Sequence, residues 1–258
     1  VPSSLIFEII DHRYFQRLRR ISQMGMSYLV YPGAHHTRFH HALGAMYLMQ
    51  KAIQVLRLKG VVISIEEEEA LNIAILLHDI GHGPFSHAME TSIVNNMSHE
   101  QISLLFMEEL NLQFNNRLTF AIAIFKNDYQ RKFMHQLISS QLDMDRLDYL
   151  RRDSFYTGVP EGAVNSERLI AMLNVKDDKL VVEEKGIYSV EKFIIARRLM
   201  YWQVYLHKTV LSAEFLLIKI LKRAKQISKN VKNIFCTPAI KPFIFNNLNL
   251  ESFSNKEV

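Results

Sequence analysis

The sequence predicts an all-α fold with a small β-hairpin insertion, and three observations favour it. Apolar residues recur at helical spacing over most of the chain. Only residues 180–188 resemble a strand, which we place in a small hairpin. The composition is that of an ordinary globular protein, with 48% hydrophobic and 22% charged residues among 258. We expect a helical core over residues 1–228 and an irregular tail, or a fragment of a second element, over 229–258.

The first predicted helices lie before residue 60. An apolar stripe covers residues 5–10 and, after a break at Asp11 and His12, continues over 15–24. A loop at 32–36 then leads into a long helix at 39–58.

The next helix has a clear beginning. Ser64 followed by Glu67 is the capping-box pattern, which explains the acidic residues there as a helix first turn. The helix continues to Leu77 and is apolar all round, so we expect it to be central and buried, with Gly81 as its stop. Further helices are predicted at 99–110, 115–126, 130–150 and 190–228.

The bulk composition limits the classes of partner and compartment. The formal net charge of +5 favours anionic partners. A single cysteine, Cys236, excludes an internal disulfide, and eleven histidines beside it suit a cytoplasmic protein with nitrogen and oxygen metal ligands. No apolar run reaches about 18 residues, so no membrane span is expected.

The most informative motif is the segment LLHDIGHGPFSH at residues 76–87, in which His78 and Asp79 end the apolar run. An imidazole and a carboxylate at a buried position need a partner, because burying an unpaired charge is costly. A divalent metal is one such partner, and a solvated helix end is the alternative. These ligand types suit Fe, Mn, Zn, Ni or Mg without selecting among them.

Two residues alone do not complete a metal site. Upstream, His41 shares a helical face with Ala45 and Leu48 and should point inward, whereas His40 should face solvent or the mouth of the site. The downstream candidates are Asp143, Asp145 and Asp148.

The order H…HD…D, carried by HDIGHGPFSH and DMDRLDYLRRD, resembles the HD-domain phosphohydrolases. Within them the chain is most similar to the deoxynucleoside triphosphate triphosphohydrolases, from about Asp11 to Lys208. The resemblance implies an HD-domain helical fold and an enzyme that cleaves a dNTP, such as dGTP, to a deoxynucleoside and tripolyphosphate. It implies one divalent metal ion held by four ligands: His41, His78, Asp79 and Asp145.

The same resemblance implies roles for further residues. His99, in the SHEQ segment, matches a catalytic histidine, and His87 with Glu90 matches a proton-relay pair in which the family has Asp at the second position. For the aromatic members of the substrate set, core packing is an alternative role. The residues implied to bind substrate are Gln23, Arg38, His82, Arg146, Tyr149, Asp153, Arg197, Tyr205 and Lys208.

The resemblance also suggests regulation and assembly. Asp11, Gln16 and Arg19 match residues that bind an activating guanine nucleotide at a subunit interface of a homodimer or homotetramer. An ion pair between Asp11 and Arg19 is the favoured alternative. Surface or loop roles are expected for His12, His35, His36 and His135, and a solvated basic face is the alternative role of Arg17, Arg19 and Arg20.

Other functions stay open at this point. They are a different HD phosphohydrolase, acting as a nucleotide phosphomonoesterase, a phosphodiesterase or a single-strand nuclease, and a nucleotide-binding module without turnover. The Gly81-His82-Gly83 triplet, where acidic residues would be expected, argues against a (p)ppGpp hydrolase. The absence of a Gly-Tyr-Pro triplet argues against a cyclic-di-GMP phosphodiesterase. A nucleic-acid surface on the lysine-rich last helix is less favoured than a solvated face.

Overall fold

A computed structural model describes residues 2–94, 97–231 and 234–246 of the chain. The described part is mainly helical, with one two-stranded hairpin, which confirms the predicted all-α class. Among its residues, no helix combines the length and the apolar character needed to cross a bilayer. The helices are α1 (Ser4–Asp11), α2 (Arg13–Gln16), α3 (Arg38–Leu58), α4 (Ile65–Leu77), α5 (Ser86–Glu90), α6 (His99–Gln113), α7 (Thr119–Phe125), α8 (Lys132–Ile138), α9 (Met144–Thr157), α10 (Ser166–Ala171), α11 (Ile187–Met200), α12 (Lys208–Ser228) and α13 (Lys241–Phe245).

Helix α4 lies at the centre of the fold, as its apolar sequence predicts. It packs against α3 and α7, and α9 packs against α3. Ser64 Oγ accepts a hydrogen bond from the backbone of Glu67, and the Glu67 carboxylate accepts one from the backbone of Ser64 at 2.8 Å. The same carboxylate accepts a hydrogen bond from the guanidinium group of Arg131 at 2.8 Å. The capping box therefore begins α4 and also ties it to the chain before α8.

The β-hairpin is present but lies earlier than predicted. Strands β1 (Leu173–Lys176) and β2 (Lys179–Val182) pair antiparallel, with Lys176 opposite Lys179. The two-residue turn puts Asp177 and Asp178 at φ of 50° and 57°, the left-handed region that suits a tight hairpin. The expected strand over 180–188 is wrong beyond Val182, because the chain turns at 184–186 and begins α11 at Ile187.

Several predicted helices are shorter or divided. Residues 130–150 form two helices, because the chain loops between Ile138 and Asp143 and the Asp143 carboxylate caps α9. The region 190–228 is interrupted by a π-helical turn at Tyr201–Tyr205. Residues 15–24 contain only α2 and a 3₁₀ turn, and the helix expected at 115–126 begins at Thr119.

Gly81 has a different role from the predicted helix stop, since α4 already ends at Leu77. A Cβ atom at Gly81 would lie 2.2 Å from the carbonyl oxygen of His99 and 2.3 Å from the backbone nitrogen of Ser103. The glycine is required because α6 packs directly on the backbone of the HD turn. Ser103 fixes this contact, since its hydroxyl accepts from Gly81 N and donates to His78 O.

The described C-terminal part packs on α12. Helix α13 contributes Ile244 to a small apolar cluster with Leu221 of α12 and Ile93. Part of the predicted irregular tail over 229–258 is therefore helical, and residues 247–258 lie outside the described residues. The division of the chain at residue 228 stays a prediction.

Candidate active site

Three helix ends meet at the HD motif. Arg38 and His41 lie in the first turn of α3, His78 and Asp79 follow the last turn of α4, and Asp145 lies in the first turn of α9. Because α3 packs against both α4 and α9, these ends converge. As predicted, the side chain of His41 is fully buried whereas His40 is exposed.

Two imidazoles converge on one carboxylate. The Nε2 atoms of His41 and His78 lie 3.0 and 3.4 Å from Oδ1 of Asp145. Both Nε2 atoms are buried and neither has a hydrogen-bond partner among the described residues. Side chains of His41, His78 and Asp145 thus offer three ligand atoms within 4.8 Å of one another. Two nitrogen donors and one oxygen donor are a suitable set for a divalent metal ion.

The other nitrogen of each ring is fixed by a hydrogen-bond acceptor. His41 Nδ1 donates to Oδ2 of Asp148 at 2.8 Å, and His78 Nδ1 donates to the carbonyl of Ile75 at 2.6 Å. Carboxylates and carbonyls only accept, so each neutral ring has its proton on Nδ1 and a lone pair on Nε2. Arg152 holds Asp148 with two bonds of 2.8 Å. The arrangement fits a metal ion between the two rings and Asp145.

The surrounding carboxylates attract positive charge to this point. Burial lowers the pKa of His41, but its contacts with Asp145 and Asp148 outweigh burial and raise that pKa to about 10. Burial raises the pKa of Asp145, but His41 and His78 outweigh it and hold the pKa below its ordinary value. A metal cation bound between His41, His78 and Asp145 would interact favourably with the same carboxylates.

Asp79 lies beside His78 and also contacts Arg38 and His82. Its Oδ2 accepts from Arg38 at 2.5 Å, and its Oδ1 lies 3.3 Å from His82 and 3.5 Å from His78. Burial raises its pKa, but His78, Arg38 and His82 outweigh burial and hold the pKa well below its usual range. Asp79 is therefore an ionised carboxylate at the edge of the candidate metal group.

A second histidine cluster borders the first. The rings of His82 and His99 stack with centroids 4.0 Å apart, and His87 approaches both edge-on. Glu90 Oε1 lies 3.3 Å from Nδ1 of His99, so the acidic residue predicted to pair with His87 contacts His99 instead.

The pKa values of the three histidines shift in different directions. The Glu90 carboxylate raises the pKa of His99, while burial lowers the pKa of His82 to about 4 and also lowers that of His87. Of the three, His99 is the one most ready to carry a proton near neutral pH.

A cavity of about 560 Å³ opens onto both clusters, a volume in the range of small-molecule sites. Of the predicted substrate residues, all except Arg197 and Lys208 line it. Arg197 instead contacts Gln141 at 3.2 Å, and Lys208 is exposed at the beginning of α12. The lining includes Gln23, Arg38, His82, Arg146, Tyr149, Asp153 and Tyr205.

Asp153, in the wall of the cavity, is the centre of a hydrogen-bonded group with Tyr205 and His36. Tyr205 donates to Oδ2 of Asp153 at 2.7 Å, and His36 Nε2 lies 2.6 Å from Oδ1 of the same carboxylate. His36 lies in a loop, as the expectation of a surface or loop role allows, but it is not at the surface, since it is 2% exposed and stacks on Tyr156. No periodicity marks this residue, because it lies in the loop before α3.

Arg17 is another residue that the sequence interpretation missed. Its guanidinium does not face solvent but donates to the carbonyls of Ile80 and His82, the latter at 2.8 Å, and lies over the ring of Phe106. Burial lowers its pKa to about 10. Arg17 thus connects the N-terminal segment, the HD turn and α6.

The predicted regulatory residues are only partly associated. Arg19 donates to Gln16 Oε1 at 2.7 Å and lies 3.7 Å from the centroid of the Phe39 ring. Asp11 is exposed, and within the described ranges no ion pair joins it to Arg19. The favoured ion-pair interpretation is therefore wrong, and a nucleotide site at these residues stays a prediction.

Comparison with known proteins identifies the family. The chain matches the HD domain over residues 38–153 and the HD-associated region over residues 164–234. The chain belongs to the HD-domain phosphohydrolase superfamily. The HD-domain match contains all four predicted metal ligands, and HD domains bind divalent metal ions.

Relatives of this HD-domain protein are longer than the chain. A crystal structure of a phosphohydrolase from Bacteroides thetaiotaomicron has a TM-score of 0.95 and 57% identity, covering 99% of this chain and 64% of that one. An uncharacterized protein of Bacillus subtilis is 40% identical over 88% of this chain and 54% of its own length. A deoxynucleoside triphosphate triphosphohydrolase SAMHD1 homologue from Dictyostelium discoideum is 30% identical over 87% of this chain and 47% of its own length. The chain thus spans about half the length of these curated relatives.

Proposed function

We propose that this HD-domain protein is a metal-dependent enzyme that hydrolyses deoxynucleoside triphosphates to deoxynucleoside and tripolyphosphate. The observation that carries the proposal is the convergence of two buried Nε2 atoms, neither with a hydrogen-bond partner among the described residues, on Asp145 at the wall of a cavity that also contains Arg38 and Arg146. The similarity to the Dictyostelium triphosphohydrolase homologue supports the choice of substrate class.

The metal would be held by His41, His78 and Asp145, with Asp79 as the fourth ligand. When bound, such an ion activates water or polarises a phosphoryl oxygen. The donor set of imidazoles and carboxylates is compatible with Fe, Mn, Zn, Ni or Mg and does not choose among them.

Two arginines supply positive charge for the phosphates. Arg38 is oriented by Asp79, and Arg146 is oriented by Asp143 at 2.5 Å. The Nε atom of each guanidinium is buried without a hydrogen-bond partner in the part of the chain that the structure describes. A bound triphosphate would satisfy these donors, and fixed guanidinium groups stabilise the charge that builds up on phosphate oxygens.

The reaction also requires a proton donor. Water adds to the α-phosphorus, the bond from this phosphorus to the 5′-oxygen breaks, and the departing 5′-oxygen takes a proton. His99 fits this role because the Glu90 carboxylate raises its pKa and so keeps it protonated to higher pH. His82 and His87, whose pKa values burial lowers, would stay neutral and contact phosphate as hydrogen-bond donors.

The nucleoside would occupy the rest of the cavity. Tyr149 and Tyr205 offer aromatic surface, and Asp153, already fixed by Tyr205 and His36, offers an acceptor for a sugar hydroxyl. Gln23 Oε1 is buried in the same wall without a partner among the described residues.

The deciding experiment is a panel of the four dNTPs with several divalent ions, in which deoxynucleoside and tripolyphosphate are quantified. We expect the two products in equal amounts. Asp145→Asn should abolish turnover and reduce the bound metal, measured by elemental analysis, while the exposed Asp128→Asn should change neither. Release of phosphate or pyrophosphate would reject this reaction type. The expected dimer or tetramer is tested separately by light scattering.

A further inference from the structure

Glu214 is an unpaired carboxylate in the wall of the active-site cavity. It lies on α12, is half-buried, and makes no hydrogen bond or ion pair within the described residues. The other carboxylates that line this cavity are all engaged: Asp79 with Arg38, Asp145 with His41, and Asp153 with Tyr205. Glu214 therefore has unused acceptor capacity that faces the space for a ligand.

The wall around Glu214 is neutral and also has an unused acceptor. A Cβ atom on Gly25 would lie 3.3 Å from Glu214 Oε1, so the loop that contains Gly25 reaches the carboxylate. The same loop carries Gln23, whose Oε1 is buried without a partner among the described residues, and Val210 completes this side of the cavity. No lysine or arginine of this wall neutralises Glu214 within the described chain.

This part of the cavity is unsuited to a triphosphate. Phosphate oxygens would be repelled by Glu214 and attracted by Arg38 and Arg146, which lie beside the candidate metal ligands. If the proposed function holds, on which this inference rests, the triphosphate lies at the arginines and the nucleobase is the part of the substrate that meets Glu214.

Among the four DNA bases, guanine matches a carboxylate best. Its N1–H and its 2-amino group are adjacent donors that can bind both carboxylate oxygens at once. In adenine and cytosine the exocyclic amino group has a ring acceptor beside it, and in thymine the N3–H lies between two carbonyls, so each places an acceptor against the carboxylate. We propose that Glu214 binds the N1–H and 2-amino group of guanine and makes dGTP the preferred substrate.

The environment of Glu214 supports this assignment. Burial raises the pKa of the Glu214 carboxyl group, so its charged form is poorly solvated in the free protein. Two N–H donors from a base would compensate for the lost water. A site built to hydrogen-bond a substrate also discriminates strongly against analogues that lack the matching donors.

The test compares kcat/KM for dGTP, dITP and dATP in the wild type and in Glu214→Gln. Inosine lacks only the 2-amino group, so dITP isolates one of the two bonds. We expect wild-type kcat/KM to fall by about 10-fold or more from dGTP to dITP, because dITP lacks one hydrogen bond to a charged group. In Glu214→Gln the ratio of dGTP to dITP should approach one. The control is Glu108→Gln, an exposed glutamate on α6, which should keep the wild-type ratio.

Binding measurements separate this inference from the proposed function. Calorimetry with dGTP and dITP in the presence of a chelator gives affinities without turnover, and Glu214→Ala serves as a second variant whose fold is checked by circular dichroism. Equal rates and affinities for dGTP, dITP and dATP, with tripolyphosphate as product, would overturn the role of Glu214 and leave the proposed function standing. Glu214-dependent preference for dGTP in binding, without cleavage of any dNTP, would support the role and reject the function.

Discussion

The Nδ1 atom of His41 lies 2.8 Å from Oδ2 of Asp148, on the side of the ring opposite the Nε2 atom that faces Asp145. Asp148 is itself held by Arg152 through two bonds, so the carboxylate cannot turn away without losing both. The contacts from Arg152 to Asp148 and from Asp148 to Nδ1 therefore fix the orientation of the His41 ring. Metal-binding histidines depend on such a partner for their tautomer and ring orientation.

We expect Asp148→Asn to weaken metal binding. An amide can present an N–H to Nδ1, which would favour the tautomer with the proton on Nε2 and block the lone pair that faces Asp145. Loss of such a partner lowers metal affinity by about 10–100-fold. Competition with a chelator measures the affinity, and the exposed Asp128→Asn is the control. An unchanged affinity in Asp148→Asn would show that His41 does not bind the metal through Nε2.

A second prediction concerns the contact between the HD turn and α6. In Gly81→Ala the new methyl group would collide with the backbone of His99 and Ser103 and push α6 away. Overpacking of this kind costs about 1–3 kcal/mol or more of the free energy of unfolding. Because His99 lies on α6, turnover should also fall.

Gly83→Ala is a matched control two residues away, since no atom lies within 4 Å of its expected Cβ position. It should behave like the wild type in urea unfolding. Equal stability of the two alanine variants would mean that α6 does not pack on the HD turn as described.

The helical part of the fold was predictable because its signals are local. The capping box of Ser64 and Glu67 begins α4 where expected, and the continuous apolar sequence explains its central position. The helical face shared by His41, Ala45 and Leu48 separated the buried His41 from the exposed His40. These features depend on residues within two helical turns of one another.

The residues whose positions the sequence did not predict are held by contacts between distant parts of the chain. Arg17 is one of three arginines within four residues, and nothing local distinguishes it from Arg20, yet it is paired with carbonyls more than sixty positions away. His36 is buried by Asp153, over a hundred positions later. Glu90 contacts His99 and not the nearer His87, because α6 begins opposite it.

We expect Arg17→Met to destabilise the protein and to disturb the active site. Methionine replaces much of the packing on Phe106 but leaves the carbonyls of Ile80 and His82 without their donor. Each unsatisfied buried group costs about 1–3 kcal/mol, so loss of the donor to two carbonyls should lower the free energy of unfolding by about 2–6 kcal/mol. Urea unfolding measures this loss. The control is Arg20→Met at an exposed position, which should leave the free energy of unfolding within about 0.5 kcal/mol of the wild type. An equally small change in Arg17→Met would show that Arg17 does not stabilise the HD turn through the carbonyls of Ile80 and His82.

The pH dependence of turnover tests the contact between Glu90 and His99. A proton donor is active only while protonated, and the Glu90 carboxylate raises the pKa of His99, so kcat/KM should fall as the pH rises through that raised pKa. Glu90→Gln removes the negative charge, so the pKa of His99 drops and the alkaline fall should move to lower pH. A shift by one pH unit corresponds to about 1.4 kcal/mol of lost interaction between the two groups. Glu108→Gln, on the exposed face of α6, should leave the profile unchanged. If the alkaline limb stays in place in Glu90→Gln, the proton comes from a group other than His99.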